Sequence, residues 1–142
     1  MRHAAVLGMV VIALGLGGCG DEGGGGTSRP TATASATATA RDDYYLAMDD
    51  LVTRLDRAVA AAIAGEANAV ERIKGVVRDV RKQLKQRRAA GNGVSPAGNL
   101  VLTTALSARD YARHGEREGL QLIRDVPVIE ARDALKNEEQ GG

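Results

Sequence analysis

The apolar residues between Tyr44 and Leu84 recur in steps of three and four, and no other feature constrains the possible folds of this chain as tightly. Tyr44, Met48, Leu51, Leu55, Val59 and Ile63 form one stripe, widened by Val52 and Ala62, as expected of a helix with one buried face. A helix over about 43–64 follows. Gly65 is placed as the left-handed residue that ends it, and Asn68 with Glu71 three residues later reads as a capping box opening the next. That second helix, about 69–90, carries the seam Val70, Ile73, Val77, Val80 and Leu84 and stops before Gly91 and Gly93. Two helices of about 22 residues joined by so short a connection predict an antiparallel hairpin. One long helix running through Gly65 is the alternative; it would cost about 1 kcal/mol for the glycine and favour an oligomeric coiled coil.

Ser95 and Pro96 predict a third helix, because Ser caps and Pro at the first helical position forfeits no hydrogen bond. This helix, about 96–114, has a small inner face of Val101, Ala105, Ala108 and Ala112, flanked by Leu102 and Tyr111. Gly115, Gly119 and Pro127 predict a break between about 115 and 127, then a short helix at about 127–138 with Val128, Ile129 and Leu135, and a frayed tail over 139–142. The expected fold is all-α: an antiparallel hairpin extended to a small three- to four-helix bundle. With no Trp, no Phe and three Tyr, its core must be Leu, Val, Ile and Ala. Such a core is modest, and dimerisation would be an obvious supplement.

Ahead of the helical part, the composition changes twice. Arg2 and His3 precede an apolar run from Ala4 to Leu16, the pattern of a secretory signal over residues 1–18. As a helix the run is about 20 Å long, short of a ~30 Å hydrocarbon layer. Residues 19–41 are mostly Gly, Thr, Ala and Ser and cannot bury a core, which predicts a disordered tether. The Thr-Ala alternation from Thr31 to Ala40 reads as a bare spacer, with O-glycosylation as the alternative. Between leader and tether stands Leu16-Gly17-Gly18-Cys19, which resembles the lipobox of bacterial lipoproteins: an aliphatic residue, two small ones, then the modified Cys. The match covers the leader and Cys19 alone. It implies cleavage before Cys19, a thioether-linked diacylglycerol on its sulfur with fatty chains such as palmitate, and a chain held on the extracytoplasmic side of the cell membrane. Two acyl chains anchor stably where one binds marginally. The only Cys in the chain also excludes an intrachain disulfide.

Without Arg2, 18 basic and 18 acidic side chains remain, yet they are segregated: residues 67–95 hold eight basic and two acidic. An antiparallel hairpin would set Asp42, Asp43, Asp49 and Asp50 near Arg81, Lys82, Lys85, Arg87 and Arg88, predicting charge pairs that staple the hairpin ends. The same basic run is a candidate contact for anionic lipid or a protein partner. Nucleic acid is not expected, since no aromatics interleave with the basic run. His114, with Asp110 four residues before and Glu118 four after, forms the one candidate metal set on a single helix face, although a solvated ion-pairing face is the simpler reading. No Glu-x-x-His pair, no His beside a hydroxyl nucleophile and no Gly-rich loop between strand and helix occurs, so neither an enzyme nor a cofactor is expected. The sequence therefore predicts a membrane-anchored lipoprotein whose helical module binds another extracytoplasmic protein or itself; an envelope ligand- or metal-binding lipoprotein is the alternative.

Overall fold

The computed structural model describes residues 32–141, with side chains from Asp43 onward; the leader, Cys19 and the tether as far as Thr31 lie outside the described residues. Five helices follow one another: α1 (Ala32–Ala64), α2 (Ala69–Ala89), α3 (Pro96–His114), α4 (Arg117–Asp125) and α5 (Pro127–Gly141). α1 packs on all four others. α2 packs on α1 and α3, while α4 and α5 cover the other side of α1 and α3; one side-chain pair, Arg87 with Glu138, links α2 to α5.

Local chemistry sets the joints. Gly65, Gly91 and Gly115 adopt positive φ, and each ends a helix in the same way. At Gly65 its own N–H donates to the Ala62 carbonyl and the next N–H, of Glu66, donates to Ala61, closing the last turn of α1. The hairpin reading therefore holds, and the single helix through Gly65 is excluded. Ser95 caps α3 as expected, its Oγ accepting the Gly98 N–H at 2.9 Å. The capping box at α2 does not form: Asn68 makes no side-chain cap bond, and the Glu71 carboxylate instead accepts Lys74 at 2.7 Å.

Three element boundaries differ from the sequence reading. α1 starts at Ala32, so residues 32–41, expected in the disordered tether, continue the helix. Alanine recurs there at every second position, and extending a helix already fixed by burial from Tyr44 onward needs no new nucleus. The expected break contains α4, because Gly119 is a packing contact and not a breaker. A Cβ at that position would lie 2.5 Å from the Tyr111 ring, so only glycine lets α4 approach α3 this closely. Finally, α5 runs to Gly141, past the expected fraying point, with Glu138 tied into the bundle.

The core is built as the composition requires. Met48, Val52, Leu55 and Val59 of α1 are fully buried against Ile73, Val76 and Val80 of α2 and Val101, Ala105 and Ala108 of α3. Leu120 and Ile123 of α4 and Val128, Ala131 and Leu135 of α5 close the other side. Val76 takes a fully buried place in the α2 seam, whereas the expected Val70 is half-buried. Tyr45, beside the predicted stripe, is buried too.

Two glycines test this packing in opposite directions. A Cβ on Gly98 would meet the Tyr44 hydroxyl, Leu84 and the Ser95 Oγ, whereas one on Gly75 would meet nothing within 4 Å. Gly75→Ala should stabilise the protein by up to about 1 kcal/mol, and Gly98→Ala should destabilise it by about 1–3 kcal/mol despite the same gain in helix propensity. Urea unfolding of the two variants beside the parent checks both signs.

Candidate functional site

The candidate metal set is taken apart by the end of α3. Gly115 turns the chain after His114, so Glu118 belongs to α4 and the three side chains do not share one helix face. The Asp110 carboxylate is held by Arg109 at 2.7 Å, and the His114 Nδ1–H donates to the Asp110 backbone carbonyl at 2.8 Å. Among the described residues no group of three His, Cys, Asp or Glu gathers closely enough to hold a metal ion.

The expected staple between Asp43, Asp49, Asp50 and the basic end of α2 does not form either. Asp49 pairs with Arg132 of α5 at 3.7 Å, and Asp50 with Arg54 of its own helix at 4.0 Å; the side chain of Asp42 lies outside the described residues. The hairpin is instead pinned at its middle, where Arg54 reaches Asp79 at 3.0 Å. Burial opposes ionisation of Asp79, but hydrogen bonds from Arg54 and Arg78 outweigh it and hold its carboxyl below the usual range. The reason for the change is helical phase: the positions of α2 that face α1 hold Arg72, Val76, Asp79 and Gln83, while Arg81, Lys85 and Arg88 turn away and Lys82 borders the groove that Asp50 lines, without an ion pair. Arg81, Lys82, Lys85 and Arg88 are exposed, and no ion pair among the described residues involves them.

Arg87 behaves differently from its neighbours and belongs to a cluster not legible in the sequence. Its guanidinium carbon sits 4.5 Å from the Tyr44 ring centre and 5.5 Å from that of Tyr45, the two rings meeting edge to face at 5.1 Å. Glu138 of α5 pairs with Arg87 at 3.6 Å, accepts the Tyr45 hydroxyl at 3.1 Å and accepts the Ala97 N–H at 2.8 Å. One carboxylate thus joins α1, α2, α3 and α5, and it complements the positive end of α3. Of the buried groups at this clasp, the Arg87 Nε finds no hydrogen-bond partner, and the Tyr44 hydroxyl faces only the Ser95 Oγ, which also accepts the Gly98 N–H. Burial raises the pKa of both phenols, for Tyr45 together with the neighbouring charge of Glu138. Next to the clasp, Tyr44, Gln83, Gln86 and Arg87 wall an open cleft of about 280 Å³ between α1 and α2.

On the far side, Leu122, Val126 and Ile129 follow one another at spacings of four and three through the α4–α5 corner and are 59, 44 and 52% exposed. Val126 stands at the corner itself, with Pro127 opening α5. Large apolar residues exposed in succession are a surface worth explaining, where single ones are not. No helix among the described residues is long and apolar enough to cross a membrane. The fold and these surfaces define a small all-α bundle; no family model, no curated protein and no solved structure matches the chain.

The clasp generates a prediction with two halves. Glu138→Ala should cost about 2 kcal/mol, because it strips the half-buried Arg87 and the Ala97 N–H of their acceptor; Tyr44→Phe should change stability by less than about 1 kcal/mol, since the buried hydroxyl it removes faces only the Ser95 Oγ. Both phenols keep a raised pKa in the folded state, so their contribution to stability is complete below the ordinary value of 10.0 and is lost as pH climbs through the folded values. Denaturant midpoints between about pH 8 and pH 11 should fall for the parent and fall less for the Tyr44→Phe/Tyr45→Phe variant.

Proposed function

We propose that this chain is a membrane-anchored extracytoplasmic lipoprotein whose helical bundle is a non-enzymatic interaction module for a protein partner or a second copy of itself. The anchoring half rests on the leader and the Leu16-Gly17-Gly18-Cys19 motif, which lie outside the described residues. The interaction half rests chiefly on one observation: Leu122, Val126 and Ile129 stay exposed at the α4–α5 corner although Leu120 and Ile123, their immediate neighbours, are buried. Apolar side chains held out on a rigid corner suit a contact that excludes water on binding. The metal-binding alternative draws no support from the disposition of Asp110, His114 and Glu118.

Cell fractionation tests the anchor. The parent should sediment with membranes and leave them only in detergent, whereas Cys19→Ala should appear in the soluble fraction; equal partitioning of the two would contradict the proposal. For the module, a photoreactive residue placed at Ile129 should give a higher-mass adduct in cells. Leu122→Lys should abolish that adduct while changing stability by no more than about 0.5 kcal/mol, as befits a surface substitution.

A further inference from the structure

The outer side of α2 gathers six basic side chains. Lys74, Arg78, Arg81, Lys82, Lys85 and Arg88 fall within an arc of about 120° that excludes every buried residue of the same helix and is centred about 130° from its buried seam. Over that span they form a straight array about 21 Å long, at ~1.5 Å per residue. Only Glu71 among the acidic residues of α2 shares the arc, for Asp79 is turned to Arg54 of α1. Lys74 and Arg78 pair within their own helix, with Glu71 and Asp79, and the other four make no ion pair among the described residues. None of the large exposed apolar residues belongs to α2. The face is therefore suited to a planar array of negative charge and not to insertion into hydrocarbon.

We infer that the outer face of α2 lies against an anionic lipid surface and orients the bundle on the membrane. The inference rests on the reading of Cys19 as the anchor, which would hold the bundle at a high local concentration over the bilayer. The geometry of the chain suits it. α1 enters the bundle beside the C-terminal end of α2, where Tyr44 meets Arg87. The twelve residues between Cys19 and Ala32 reach at most about 40 Å when fully extended, so the anchor does not prevent α2 from meeting the head groups. Net charge is not the cause, because the chain from Cys19 onward is formally neutral; the segregation of charge onto one face is. Laid down in this way, α2 turns α4 and most of α5, which pack on the far side of α1 and α3, away from the bilayer. The exposed α4–α5 corner is then left open to a partner.

The test uses the unacylated chain 19–142 carrying Cys19→Ser, which contains every core residue, so its outcome is independent of whether Cys19 is lipidated. Co-sedimentation with vesicles of phosphatidylcholine alone is compared with vesicles containing about one-third phosphatidylglycerol. Binding should be at least tenfold tighter to the anionic vesicles and should vanish as salt rises from about 0.05 M to about 0.5 M. The variant Arg81→Gln/Lys82→Gln/Lys85→Gln/Arg88→Gln should lose at least tenfold, from roughly fivefold per exposed charge discounted for neighbouring aspartates. The control Arg57→Gln/Arg113→Gln/Arg117→Gln/Lys136→Gln changes net charge equally but lies outside α2, and should keep its binding; circular dichroism confirms that both variants fold. Equal loss in the two variants would overturn the assignment to α2. Indistinguishable binding to the two vesicle types would overturn lipid contact itself and leave the face to an acidic protein partner.

Discussion

Burial of one stripe on α1 is the interaction on which the other elements depend. From Tyr44 to Val59 this helix supplies the residues against which α2, α3, α4 and α5 all pack, and Met48, Val52, Leu55 and Val59 have no exposure at all. Because the facing residues are mostly Val and Ala, the helices approach closely and the core is held by many small contacts, not by a few large rings. The two buried aromatics of α1, Tyr44 and Tyr45, sit where α2 ends and α3 begins. There the polar clasp of Arg87 and Glu138 takes over from apolar packing, and the C-terminal turn of α5 is drawn in to complete it.

What the sequence disclosed and what it hid divide along a physical line. Signals acting within a few residues were legible: Gly65 closing α1, Gly91 closing α2, and Ser95 with Pro96 opening α3, which runs from Pro96 to His114 as its pattern implies. Apolar periodicity identified the α1 stripe because burial on a helix repeats at the helical period. Signals that need a distant partner were not legible. Gly119 reads as a breaker until the Tyr111 ring is seen against it. Glu138 reads as part of a fraying tail until Arg87, Tyr45 and the Ala97 N–H converge on its carboxylate. Even the basic run misled on this point: its charges were evident, but whether they faced the aspartates of α1 or solvent depended on the phase of α2 against its core.

The same phase gives the bundle two unlike outer sides. One is the straight basic face of α2, the other the apolar α4–α5 corner, and α1 with α3 stands between them. The proposed anchor and lipid contact would use the basic side and leave the apolar corner open to a partner. The clasp joins α1, α2, α3 and α5 at the end of the bundle where α2 ends and α3 begins.

The proposed function depends on a lipid on Cys19, and mass spectrometry of the N-terminal peptide of the protein isolated from its own cells measures that directly. The mature chain should start at Cys19 and carry the added mass of a diacylglycerol on its sulfur. A chain that starts elsewhere, or a Cys19 with a free thiol, would contradict the proposed anchor.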